Sequence, residues 1–241
     1  MGTGAAARPR RGGRPSRQQS ALLRKRILDT ATRHFLAQGY GATSIDAIAR
    51  DARISKRTFY DRFDGKPALF AAVVHHIIER LRPPQGLPPF GRARLDEILR
   101  RLAALILRAA LAPDAIALHR LIVAEAPRFP QLAAALDAEG STQEAIGLIA
   151  GLLEREARAG RLELRDARFA AEQFLYMVMT IPQRHAAGLG TAMTPAELDR
   201  WARDVVDLFL DGCRGPARGG LTAPRGGPAG APARPPRARR A

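Results

Sequence analysis

The sequence predicts an all-α fold, with a three-helix N-terminal unit followed by a larger helical C-terminal unit and about nine helices in all. Apolar residues recur at the i, i+3, i+4 spacing of one buried helix face along most of the chain, and no stretch shows the period-two alternation of a half-buried strand. Ala and Leu dominate while aromatic residues make up only 5%, a composition that suits helices. Gly, Pro and small hydroxyl or acidic residues fall where one helix should stop and the next begin.

The 241 residues are enough for two modest domains or one large one, and a 46% hydrophobic content supplies a core. The formal net charge is +16, but it is unevenly spread. Residues 1–19 carry five arginines and residues 214–241 carry seven, with no acid in either, so these two segments supply twelve of the sixteen charges. Both are rich in Gly, Pro and Arg and cannot bury apolar surface, and they read as disordered basic tails. The single cysteine, Cys213, allows no internal disulfide, which fits a reducing compartment. No apolar run reaches the roughly 18 residues of a membrane span. The basic N-terminus lacks the apolar core of a secretory signal. A soluble cytoplasmic protein, with no membrane partner, is the expectation.

The first helix opens at Ser20, with Leu23, Ile27, Ala31 and Phe35 on one face, and ends at Gly39. Thr43 is suited to cap the second helix, with Asp46 three residues on as a variant capping box. Ile45, Ile48 and Ala49 give that helix its buried side, and residues 51–53 form a turn. Ser55 caps a third short helix, with Ile54 placed to staple onto Phe59, and Phe59 and Phe63 point into the core. Pro67 fits the first turn of a further helix reaching about Leu81, because its missing N–H is not needed there.

Pro83, Pro84, Pro88 and Pro89 mark a seam. Beyond it, helices are expected over residues 93–111 and 115–125. A longer one over 130–159 is breakable near Gly140 and stops at Gly160. Asp166 caps a helix that Pro182 kinks late. Thr194, Pro195 and Glu197 form a full capping box with Pro at the first position, opening the last helix to Gly212.

Two short helices joined by a tight turn over residues 44–63, the second polar on one side, follow the helix-turn-helix plan. The first braces the second through Ile45, Ile48, Phe59 and Phe63. The second offers Lys56, Arg57, Thr58 and Tyr60 outward from a helix N-terminus whose free N–H groups favour phosphate. Thr43 and Ser44 stand at the other helix start, and Lys66 lies at the start of the next helix. Lys56 and Arg57 are the candidate guanine readers, since a bidentate contact gives about 1–3 kcal/mol of discrimination. The alternative is a plain helical hairpin in a bundle.

Residues TSIDAIA, ISKRTFYDRF and the following GKPALF, with the first helix ending in Phe35 and Gly39, resemble the TetR-type DNA-binding domain over roughly residues 21–81. The segment HRLIVAEAPRFPQLAAAL at 119–136 resembles the C-terminal domains of AcrR/AefR-like members. The resemblance implies a DNA-binding domain over 20–81 and a ligand-binding and dimerisation domain over 90–213. It implies phosphate contacts from Tyr60 and Lys66. Groove contacts follow from Thr43, Ser44, Lys56, Arg57 and Thr58, with Ser55 at the helix start among the DNA-facing residues. It further implies a ligand-responsive repressor, homodimeric through its last two helices on an inverted repeat of double-stranded DNA and released by a small-molecule effector of unknown identity. Arg53 departs from the pattern, standing in the turn where the family usually has Gly.

Other residues invite chemistry. Arg10-Arg11-Gly12-Gly13-Arg14-Pro15 resembles an interrupted minor-groove hook, against the simpler reading of a solvated tail. His119, Phe129, Gln173, Phe174 and Met177 are candidate pocket residues, although aromatics and Met at helical spacing are more often core. His34, His75, His76, His119 and His185 show no ligand spacing with acids or cysteine, so no metal or cofactor is expected. No nucleophile, phosphate-loop or paired-carboxylate constellation argues for an enzyme.

Overall fold

The computed structural model describes residues 17–82 and 93–213. The expected disorder of residues 1–16 and 214–241, the hook-like stretch at 10–15 and the proline seam at 83–89 lie outside the described residues.

The described residues are all-α, without a strand. The helices run α1 (Arg17–Ala42), α2 (Ile45–Asp51), α3 (Lys56–Tyr60), α4 (Gly65–Leu81), α5 (Leu95–Ala110), α6 (Pro113–Glu125), α7 (Gln131–Glu139), α8 (Ser141–Arg158), α9 (Ala167–Arg184) and α10 (Pro195–Cys213). A π-helical turn, His185–Leu189, extends α9 beyond Pro182. No single described helix is long and apolar enough to cross a membrane. The bent pair α5 and α6 passes that test by length and composition only, and it buries Ile98, Leu99, Leu121 and Ile122 inside the protein.

Several stops and starts follow from identifiable residues. Gly39 breaks the end of α1 at φ 84 and ψ 168, a conformation closed to a residue with a Cβ without strain. Gly140, at φ 81, separates α7 from α8, which makes two helices of the long one expected. The Asp166 carboxylate accepts from the N–H groups of Arg168 and Phe169 to open α9. At α10 the capping box is complete, with the Glu197 carboxylate accepting from the Thr194 N–H at 2.7 Å and from its hydroxyl at 2.8 Å.

Two boundaries differ from expectation. Helix α1 begins at Arg17 rather than Ser20, so residues 17–19 are helical and not part of the disordered arm expected over 1–19, because Arg and Gln sustain a helix and no Gly or Pro stands between Arg17 and Ser20. The cap of α2 is Ser44, whose hydroxyl accepts from the Ala47 N–H at 3.1 Å, rather than Thr43. Thr43 is buried and its hydroxyl turns back to donate to the Gly39 carbonyl at 2.7 Å, so the capping role passes one residue on.

Burial falls into two clusters. Ile98, Leu99 and Leu102 of α5 pack with Ile149 and Leu153 of α8, Phe174 and Val178 of α9, and Val206 and Phe209 of α10. Trp201 joins α10 to α9 by donating to the Val178 carbonyl at 2.9 Å. The other cluster unites Ile27, Phe35, Ile48, Phe59, Phe63, Phe70 and Val73 with Leu118, Leu121 and Ile122 of α6 and Leu132 of α7. The hydrophobic seat of the N-terminal helices is thus completed by residues far along the chain.

Candidate nucleic-acid interface

The α2–α3 hairpin stands on two phenylalanines. Phe59 has no exposed surface and Phe63 is nearly as buried, their rings 5.6 Å apart. Truncating either to Ala would cost on the order of 3–5 kcal/mol. Arg24 of α1 lies over the Phe63 ring at 5.2 Å. His34 of α1 fastens α2 through a 2.8 Å contact to the Asp51 carboxylate. These contacts fix the angle at which α3 presents its other face.

That face carries most of the expected residues. Ser44, Ser55, Lys56, Arg57 and Tyr60 are exposed, and Thr58 is half-buried. Tyr60 keeps 59% of its surface and is held edge-on to Phe59 at 5.3 Å, so its hydroxyl end is offered in a fixed direction. The Ser55 hydroxyl accepts from the Thr58 N–H at 3.0 Å and pairs with the Thr58 hydroxyl at 2.9 Å, which opens α3 and orients both side chains. Lys56 pairs with Asp46 of α2 at 2.9 Å. That hydrogen bond holds the Lys56 ammonium above its ordinary value. Both partners are exposed, so a phosphate or base edge could take Lys56 from Asp46 at little cost.

The turn between the two helices is a Schellman motif. The Ile54 N–H donates to the Ala49 carbonyl at 2.9 Å and the Arg53 N–H to the Arg50 carbonyl at 3.0 Å. The left-handed position of that motif is held by Arg53 at φ 53, the one non-glycine residue at positive φ among those described. A side chain there costs about 1–2 kcal/mol.

Two expected contacts sit differently. Thr43 is inside, as described above, and its hydroxyl is engaged. Lys66, in the first turn of α4, donates to the Thr43 carbonyl at 2.7 Å and the Gly41 carbonyl at 3.1 Å, with its ammonium 4.6 Å from the centre of the Tyr40 ring. Burial pushes its pKa down, and the Glu125 carboxylate pulls the other way. Two of its three N–H donors are therefore spent on the α1–α2 turn.

Glu125, which nothing in the sequence singles out, completes this junction. It is the last residue of α6, yet its carboxylate accepts from the Tyr40 N–H at 2.8 Å and the Gly41 N–H at 2.7 Å. A Cβ on Gly39 would collide with Glu125 Oε1. Phe129 stacks its edge on Tyr40 at 5.0 Å from just beyond α6. The partners lie so far apart in sequence that only the fold reveals the contact.

The five candidate pocket residues do not meet in one cavity. Phe129 packs on Tyr40 in the N-terminal cluster, whereas Phe174 is fully buried against Phe209 in the other and Met177 packs at its edge. Gln173 is exposed and His119 half-buried. Helical spacing put Phe174 and Gln173 on adjacent faces, and α9 turned one inward and the other out. An open cleft of about 920 Å³ lies instead among α1, α4 and α6, lined by Lys25, Asp29, Arg33, Arg80 and Asp114.

Comparison with known proteins bears on this geometry. Residues 27–73 match the bacterial regulatory proteins of the tetR family, and residues 97–212 match the C-terminal domain of AefR-like transcriptional repressors. The structure is similar to that of the flavonoid-responsive regulator FrrA, at 32% identity and a TM-score of 0.68, covering 82% of this chain and 100% of that one. It is also similar to a protein from Mesorhizobium loti MAFF303099 classed as a TetR-family transcriptional regulator. There the identity is 28% and the TM-score 0.64, over 82% of this chain and 98% of that one. The HTH-type transcriptional regulator YuxN of Bacillus subtilis (strain 168), itself uncharacterized, is 36% identical over 56 residues, 23% of this chain. That match spans only 19% of YuxN's length, so it concerns a part of that protein.

Proposed function

The chain belongs to the TetR family of transcriptional regulators, DNA-binding proteins rather than enzymes, and from that premise we propose that it is a ligand-responsive repressor binding an inverted-repeat operator as a homodimer. The observation that carries the proposal is the α2–α3 face, where Ser44, Ser55, Lys56, Arg57, Thr58 and Tyr60 surround a helix start on a rigid aromatic seat. Tyr60 and the helix-start hydroxyls engage phosphates, which set position, and Arg57 with Lys56 reads base edges. Thr43 and Lys66 serve the same surface from behind by fixing the turn ahead of α2.

Dimerisation through α9 and α10 is supported by the apolar side chains they leave in solvent. Phe169 and Tyr176 lie two turns apart on one face of α9, and Leu208 projects from α10. A paired four-helix bundle would cover them. The effector is a small molecule, and the flavonoid-responsive relative makes planar aromatic compounds the first to screen. A cytoplasmic protein, associated with the nucleoid when bound to DNA, follows from that role, with the domain division at 20–81 and 90–213.

Footprinting upstream of the protein's own gene tests the assignment, followed by binding of the footprinted operator and random DNA. Arg57→Ala should relax preference at one base position by about 1–3 kcal/mol while random-DNA binding changes little. An equal loss on both DNAs would remove Arg57 from the reading role, and no protected site would remove the operator.

A further inference from the structure

The end of α4 distant from the hairpin carries a second cluster of chemically able side chains. His75 and Glu79 stand one turn apart on one face of α4, and Glu139 closes α7 beside them. One ligand atom from each lies within 4.8 Å of the other two, with His75 Nδ1 3.7 Å from Glu139 Oε1. The Glu139 side chain is 98% buried, with only 2% of its surface exposed. Its two oxygens are in different situations. One accepts from the Ser141 N–H at 3.0 Å and so opens α8, while Oε1 is buried and has no hydrogen bond. A buried carboxylate oxygen without a donor is costly unless a cation completes it.

Charge points the same way. Arg82 donates Nε toward Glu79 at 2.9 Å and Nη2 toward Glu144 at 3.0 Å, and remains 3.8 Å from Glu139. Three carboxylates thus share one guanidinium, leaving an excess of two negative charges around Glu139 Oε1. We propose that His75, Glu79 and Glu139 form a binding site for a first-row divalent metal ion that fastens the end of α4 to the end of α7.

The donor set is one imidazole nitrogen and two carboxylates, which suits Zn²⁺ or Mn²⁺ and leaves positions for water. Ligands at about 2.0–2.2 Å from an ion sit closer together than these atoms do, so the cluster must contract by about 1 Å. Exposed His75 and Glu79 can make that movement by changing rotamer. Arg82, 42% exposed, turns outward as the ion takes its place. The metal bridges helices that the hydrophobic cluster already packs together, and it pins α4 about 14 Å along its axis from Lys66. The site stands independently of the DNA-reading assignment.

The test is titration of the full-length, tag-free protein with Zn²⁺ by calorimetry and with Co²⁺ by visible absorption. One ion per chain is expected. His75→Ala and Glu139→Gln should each weaken binding at least about tenfold, as loss of a ligand should exceed loss of its supporting contacts. Arg82→Gln should tighten binding, since it removes the competing cation. Glu139→Gln keeps an oxygen for the Ser141 N–H and should melt no lower than wild type without metal. Zn²⁺ should raise the melting point of the wild type but not of this variant. Should Glu139→Gln fail to fold, His75→Ala at an exposed position carries the comparison. Binding unchanged by His75→Ala, binding weakened by Arg82→Gln, or no binding up to about 1 mM Zn²⁺ would each overturn the proposal.

Discussion

Removing the Glu125 carboxylate should uncouple α6 from the DNA-binding hairpin. Its two oxygens take the Tyr40 and Gly41 N–H groups at 2.8 and 2.7 Å, just where Gly39 ends the first helix. A hydrogen bond to a charged acceptor contributes about 1.5–3 kcal/mol, and leaving a buried donor unpaired forfeits its desolvation as well. Tyr40 is buried and Gly41 exposed, so the upper part of that range applies to one bond and the lower part to the other. Glu125→Ala should therefore destabilise by about 4–5 kcal/mol, a large share of the roughly 5–15 kcal/mol that holds a typical protein together. Glu125→Gln, with one acceptor left, should lose about half as much. Urea unfolding measures both, and fluorescence anisotropy on operator DNA should show weaker binding in parallel, because Ser44 and α2 follow directly on this turn. A double-mutant cycle sharpens the assignment. Gly39→Ala meets both a positive φ and the Glu125 oxygen, and the second penalty disappears once Glu125 is Ala. The pair should fall short of additivity by at least about 1 kcal/mol. A Glu125→Ala protein within about 0.5 kcal/mol of wild type, or a cycle additive within the same margin, would refute the coupling.

Arg53→Gly should stabilise the protein by about 1 kcal/mol, because glycine takes the left-handed position of the Schellman turn without steric strain, and a lower urea midpoint would show that Arg53 makes a compensating contact. Lys66→Ala should weaken binding to operator and random DNA alike while also destabilising the fold by about 1–2 kcal/mol, since its ammonium donates to the Gly41 and Thr43 carbonyls. Weaker DNA binding at unchanged stability would instead make Lys66 a direct phosphate ligand. Donation from the Thr194 N–H and hydroxyl holds the Glu197 carboxyl below its ordinary value. Its contribution is present above the unfolded value of about 4.3 and is lost as pH falls through the lower folded value. The melting gap between wild type and Glu197→Gln should therefore be open at pH 7 and close below about pH 4, and a gap constant with pH would sink the idea.

The sequence by itself determined the features that depend on residues within a turn or two of one another. The all-α class, the Ser55, Asp166 and Thr194 caps, the breaks at Gly39 and Gly140 and the inward pair Phe59 and Phe63 were all legible. Capping, φ preference and helical periodicity act over a few residues and are written in adjacent letters. The strain at Arg53 was legible for the same reason, and so was the outward face of α3. Tertiary structure decided whatever depends on which distant groups come to share a space. It moved the cap from Thr43 to Ser44, because the Gly39 carbonyl lay within reach of the Thr43 hydroxyl. It turned Lys66 onto the α1–α2 turn and brought Glu125 to the same place from the end of α6. It dispersed the five pocket candidates, placing Phe174 and Met177 with one core, Phe129 with the other and Gln173 in solvent, since the face a helical residue presents depends on the neighbour packed against it. It also set Glu139 beside His75 and Glu79, which share a face of α4 by their four-residue spacing but meet their third partner only in the fold, because hydrogen bonds and ion pairs are satisfied through space and the chain's order does not encode that distance.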